Sequence, residues 1–330
     1  MNRAPLTPAR LLAVCGFLVL ILGAVMLLAL SVGSTAVPFP RILAALAGTP
    51  AFESDRIILF DIRLPRVLLA AAVGAGLSLA GAVFQALLRN PLAEPYILGI
   101  SSGGTAGTLV GMALAFGAVG TPLASFAGAL AVMGGVYAAA HRHGRLDSNM
   151  LLLSGVMVGA FINAAILVLI ALLHRELRSA FLWLMGNLSN AGMAEVSWLV
   201  PVLLALCAAL LYLARNFNLI ATGEETALQL GVDVVRLKRI SYLLASLVTG
   251  LVVSVSGVVG FVGLVVPHTC RLLFGPDHRL LLPASFLAGA SFLIAADLVA
   301  RTVIAPTELP VGAVTAAVGA PVFLYLLKKT

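Results

Sequence analysis

Charge is what this chain has least of. Only 10% of its 330 residues are Asp, Glu, Lys or Arg, against 61% hydrophobic, and the mean hydropathy is +1.11. A soluble domain cannot hide that much apolar surface, so lipid is the solvent for most of the chain. Nucleotide chemistry is missing as well. There is no GxxxxGK[ST] loop, so any ATP hydrolysis has to be supplied by another chain. HExxH and paired intramembrane aspartates are absent, which argues against an intramembrane protease, and no catalytic residue is assigned. Ionisable groups inside the apolar runs are few, chiefly Asp297 and His268. An ion-coupled secondary transporter places acids or histidines near the midplane, so that class stands as the alternative and not as the first reading. Cys15, Cys207 and Cys270 show no CxxC spacing and read as small core residues, not as metal ligands or disulfides. The formal charge is +7, yet the bases stand singly between apolar runs, without the basic stripe or aromatic platform of a nucleic-acid binder. The positive balance therefore reads as membrane topology.

What is present is a series of apolar runs of spanning length. A crossing needs about 20 apolar residues. Runs that fit lie at 11–33, 64–88, 95–117, 122–140, 150–173, 196–214, 240–258, 260–274, 280–300 and 309–327. The first is too long for a signal-peptide core and reads as a retained span. The uncharged stretch 95–140 has to be two helices, with 117–122 as the bend. Residues 240–274 hold Gly250, Gly257, Gly260, Gly263 and Pro267 and read as a full helix followed by a short, broken one. A single kinked helix there would make nine spans. Charge favours ten: with both termini cytoplasmic, only Arg41, Arg56, Arg63, Arg66, Arg175, Arg178 and Arg301 of the twenty Lys and Arg lie outside. The expected class is thus an all-α polytopic membrane protein of ten helices, one transmembrane domain over 1–330. A faint inverted repeat is also expected, because a shift of 176 places Arg63 on Arg239, Gly74 on Gly250, Ser78 on Ser254, Gly81 on Gly257 and Pro91 on Pro267.

Three stretches stand out within this frame. In the first, 63–104, Gly74, Ser78 and Ala82 recur every four residues, and Gly103, Gly107 and Gly111 repeat the device after a turn bracketed by Pro91 and Pro95. Such stripes let helix backbones approach closely where hydrophobicity alone cannot hold them together. The second is the mixed-charge cytoplasmic segment of about 216–239. Thr222 and Glu225 have capping-box spacing there, and Ala227, Leu228, Leu230 and Val234 can form one apolar face. Two short helices outside the membrane need something to bind; an ordinary surface loop is the other reading. The third is a set of polar residues with bland alternatives. Asp297 and Arg301 suit an i,i+4 pair, Arg63 and Arg66 suit interfacial anchors, and His268 suits helix packing.

The motifs RLPR (63–66), GAVFQALLRNPLAEPYILGISSG (81–103), GEETALQLGV (223–232), GFVGLVVPHTCRLLFGPDHR (260–279) and ELPVGAVTAAVGAPVFLYLL (308–327) run in order through nearly the whole chain. In these the chain resembles the FecCD family of ABC-importer permeases, which serve iron–siderophore, haem and cobalamin uptake. The resemblance implies a transport subunit, not an enzyme, that moves a metal chelate from the periplasm or cell exterior to the cytoplasm: an iron–siderophore or haem first, cobalamin as the alternative. It implies a homodimer in a bacterial or archaeal plasma membrane. Two ATP-binding subunits on the cytoplasmic side would use the ATP and Mg, and a substrate-binding protein would dock outside; the chain itself would hold no cofactor or metal. It further implies that Arg63, Arg66 and Arg301 receive acids of the binding protein, and that Asn90, Leu92, Ser148 and Asn149 close the inner end of the pathway. Glu224, Glu225, Leu228 and Gly231, within 218–232, would belong to the segment that docks into the ATPase.

Overall fold

A computed structural model describes residues 6–33, 37–49, 53–142, 145–172, 183–189 and 191–328. Arg3, His143, Arg175, Arg178 and Lys329 fall outside them. The elements in order are α1 (Pro8–Ser31), α2 (Phe39–Leu46), α3 (Glu53–Leu88), α4 (Ile100–Ala113), α5 (Gly117–Ala140), α6 (Ser148–Leu172), α7 (Met193–Tyr212), α8 (Ala214–Ala221), α9 (Glu224–Gln229), α10 (Val234–Ser256), α11 (Val262–Phe274), α12 (His278–Thr302) and α13 (Val311–Leu327). A two-residue antiparallel pair, His141–Arg142 with Arg145–Leu146, joins α5 to α6. Among the described residues, seven helices are long and apolar enough to cross a membrane.

The stretch singled out in the sequence is the physical centre. The apolar core of α3 is 89% buried, against 6% for that of α1, so α3 is wrapped by other helices while α1 faces outward along most of its length. Small residues make this possible. A Cβ on Gly74 would collide with the Gly289 carbonyl of α12, and one on Gly81 with the Gly263 backbone of α11. Gly103 and Gly107 meet α5 in the same way, at Gly128 and Ala124. Replacing Gly289 with valine should therefore remove most of the correctly folded protein, since overpacking a closed contact costs about 1–3 kcal/mol or more. Valine at Gly16 or Gly23 of α1, where nothing lies within 4 Å of an added Cβ, should leave it unchanged. Size-exclusion profiles of detergent extracts before and after heating check both.

Two features differ from the linear reading. The third run does not begin as helix at 95. Residues 89–99 turn back on themselves, with Pro95 against Gly263 and Leu98 against Gly155, and helix starts only at Ile100. Local bonds hold this segment, from Ala93 N–H to the Asn90 carbonyl, Ile97 to Glu94 and Gly99 to Tyr96. Non-helical backbone buried among helices is tolerated when its polar groups are satisfied in this way. The 176-residue shift also pairs unlike conformations: Gly81 lies within α3 while Gly257 ends α10 at φ 67°, and Pro91 lies in a turn while Pro267 lies inside α11. The break expected within 240–274 is present, between α10 and α11. There a Cβ on Gly257 would strike the Trp183 carbonyl, and the Phe261 N–H donates to Glu94 Oε1 at 2.6 Å.

Candidate functional site

The end that carries the four expected gate residues is built from two turns. Arg89, in the left-handed region at φ 50°, ends α3, and Asn90 Oδ1 accepts the Leu92 N–H at 2.9 Å, an Asx turn that holds the following proline in place. The second turn starts α6. Asp147 is its cap, accepting the N–H groups of Asn149 and Met150 at 2.9 Å each, so Ser148 and Asn149 are already helical. Ser148 Oγ donates to the Leu87 carbonyl at 3.3 Å, which brings the two turns side by side. Leu92 and Asn149 are exposed beside them. The four expected gate residues are thus neighbours in the fold.

Segment 216–239 contributes to two short helices, α8 and α9, as its pattern predicts. The capping-box reading needs correction: Thr222 Oγ1 donates back to the Leu219 carbonyl at 2.7 Å, so Thr222 closes α8, and Gly223 at φ 127° opens α9. Phe217 and Ile220 of α8 are fully buried. Asn218 staples α8 to the start of α12, donating to Asp277 Oδ1 at 2.7 Å and accepting the His278 N–H at 2.7 Å. The Arg279 guanidinium beside Asp277, aided by Asn218, holds that carboxyl down at about 2, so the staple stays ionised at any working pH. In α9 only Ala227 points inward. Leu228 and Leu230 are 50% and 61% exposed, Glu225 is exposed, and Gly231 ends the helix at φ 85°. The apolar face read from the sequence is therefore split, with Ala227 and Val234 inside and the two leucines outside. A pocket of about 340 Å³, lined by Arg89, Asn90, Ala221, Arg271 and His278 among others, lies between this segment and the first inner turn.

At the opposite end, expected to be the outer one, Arg63, Arg66 and Arg301 do not form an exposed rim. All are buried and engaged within the chain. Arg63 Nη1 donates to the Leu30 and Ser31 carbonyls at 2.5 and 3.2 Å, and Arg301 Nη2 donates to the Ala29 carbonyl. Together they cap carbonyls of the last turn of α1, of which Ser31 also accepts the Val37 N–H, at an end where positive charge is favoured by the helix dipole. Arg66 grips Asp297, with Nε and Nη2 bonds of 2.8–3.0 Å, and its Nη1 reaches Glu308 at 2.9 and 3.1 Å. The local Asp297–Arg301 pair is the weaker contact at 3.7 Å. A pocket of about 350 Å³ lined by Arg66, Asn187, Ser189, Thr307 and Glu308 opens beside the cluster.

Sequence reasoning missed two participants. Glu308 was visible only as part of a motif. Lys238 was counted merely as an inner base, yet it is buried and its Nζ donates to Glu224 Oε1 at 2.5 Å, to Ser148 Oγ at 3.1 Å and to the Leu146 carbonyl at 3.4 Å. No local spacing signals contacts between residues 90 positions apart.

Comparison with known proteins agrees with this architecture. The chain is 46% identical over 304 residues to the cobalamin import system permease protein BtuC of Halobacterium salinarum, covering 91% of this chain and 82% of that one. It is 39% identical over 323 residues to the hemin transport system permease protein HmuU of Yersinia pestis, covering 95% of both. A solved inward-facing structure of a transporter assigned to the metal-chelate ABC type superposes with a TM-score of 0.88 at 29% identity, over 96% of this chain and 99% of that one. The sequence model of the FecCD transport family matches residues 19–329. This chain belongs to the FecCD transport family.

Proposed function

We propose that the chain is the membrane permease of an ATP-driven importer that carries a metal tetrapyrrole, cobalamin ahead of haem, into the cell. The observation that carries the reading is near full-length similarity to permeases named for cobalamin and hemin, joined to an apolar, outward-facing pair of leucines on a helix beside the inner turns. Family membership sets aside the ion-coupled alternative. Counting α4, α11 and α13 with the seven long helices makes ten crossings, an even number that leaves both termini on one face, which this reading takes as the cytoplasmic one. Segment 89–99 supports α4 as a crossing of only 14 residues, because the chain before it already occupies part of the depth.

In this proposal two copies surround the pathway in a bacterial or archaeal plasma membrane, and the whole of 1–330 acts as one domain. Asn90, Leu92, Ser148 and Asn149 close its inner end. Two ATPase subunits dock on α8 and α9 through Leu228, with Glu224, Glu225 and Gly231 shaping that face; they use the ATP and Mg, and no cofactor is assigned to this chain. The binding protein docks outside at the pocket beside Arg66, where an arriving carboxylate would take the place of Glu308. Arg63 and Arg301 support the same rim by holding α1. In proteoliposomes containing the permease, its ATPase and its binding protein, cobalamin should stimulate ATP hydrolysis and enter the lumen. Stimulation by hemin alone would reassign the cargo, and stimulation by no metal chelate would overturn the reading.

A further inference from the structure

We propose that Lys238 is the positioning residue that makes the coupling helix and the inner gate move together. The inference rests on the reading that α8 and α9 dock an ATPase, and it adds the path by which docking reaches the gate. Lys238 lies just over one turn into α10, and its ammonium carries three N–H donors. The structure supplies three acceptors, each from a different element: Glu224 at the start of α9, Ser148 at the start of α6 and the Leu146 carbonyl in the strand before it. Ser148 passes the connection on to the Leu87 carbonyl, three residues before Asn90. One unbroken chain of hydrogen bonds therefore runs from the ATPase-facing helix through Ser148 to the last turn of α3, out of which the Asn90 turn leads.

The energetics make this chain directional. The Lys238 side chain is 5% exposed and the Glu224 side chain 41% exposed, so the ammonium depends on a carboxylate that stands at the surface. A buried charge that loses its partner is strongly disfavoured, whereas an exposed carboxylate that loses its partner is simply rehydrated. When α9 shifts, Glu224 can leave at small cost but Lys238 cannot remain behind unpaired. Following the carboxylate keeps the ammonium paired and draws it away from Ser148. The exposed leucine at 228 is four residues from Glu224 on the same helix, so force applied at the docking face reaches this contact directly.

The test uses the full complex in proteoliposomes, with transport expressed per assembled complex. Lys238→Met should still co-purify with the ATPase but lose transport about tenfold, within the usual range of a coupling free energy. Glu224→Gln, isosteric and half-exposed, should lose it several-fold, and the double variant should be no worse than Lys238→Met alone. A cysteine at Asn149, crosslinked to its copy in the partner subunit, should respond to nucleotide in the parent and not in Lys238→Met. A residue that only stabilises the fold predicts otherwise: fewer assembled complexes, each transporting at the parental rate with a nucleotide-sensitive crosslink. That result overturns the proposal, as does additivity of the two substitutions. Should Lys238→Met not assemble, Glu224→Gln decides alone, and parental transport in it overturns the relay. Failure of the ATPase to bind even the parent would instead sink the docking reading.

Discussion

Leu228→Asp should detach the ATPase while leaving the permease inserted and folded. Leu228 is half exposed, in contrast to its neighbour Ala227, which is fully buried beneath the helix. On docking, the leucine would enter an apolar pocket of the partner, and an aspartate in its place would have to lose its hydration without gaining a counter-charge. Anchors of this kind typically contribute about 2 kcal/mol or more, which is about thirtyfold in affinity. The same substitution at Ala227 should act on the other side of the helix, lowering the yield of folded permease before any binding is measured. Affinity of the purified ATPase for the two variants, with yield recorded alongside, separates docking surface from core. Wild-type affinity for Leu228→Asp would show that α9 is an ordinary surface helix.

Much of the architecture was legible because its signals are local. Small residues at every fourth position favour close helix contact in lipid, and the stripes that begin at Gly74 and Gly103 meet α12 and α5. The break at Gly257 and the two short helices α8 and α9 were readable for the same reason. Hydropathy could not reveal that 93–99 is largely buried without being helical, because burial and helix share one apolar signature until Pro95 meets Gly263. The charge contacts were invisible for a different reason. Asp297 has an attractive partner four residues away, and only the packing of α3 on α12 shows that Arg66, from a distant motif, outcompetes it. Topology rules group Arg63 and Arg301 at one membrane face, but they carry no information on carbonyls at the end of α1.

The same cluster makes the second large effect predictable. Arg66→Met should cost the outer end of the protein its organisation, because Asp297 is 2% exposed and would be left with only Arg301 at 3.7 Å. Removing one partner of a buried pair typically costs about 3–5 kcal/mol. Arg66→Met/Asp297→Leu, which removes both charges, should recover part of the lost yield, and that recovery is the signature of an internal clamp. Glu308→Gln should behave differently, since its side chain is 42% exposed and such a pair contributes only about 0.2–1 kcal/mol. Its yield should match the parent. If an acid of the binding protein takes the Glu308 position on Arg66, removing the resident charge should tighten docking by up to about fivefold, with the gain shrinking as salt rises. A purely external role for Arg66 predicts the opposite pattern: normal yield for Arg66→Met, no recovery in the double variant, and weaker docking in both. Yield and binding-protein affinity measured on the same four preparations distinguish an arginine that builds the outer rim from one that merely decorates it.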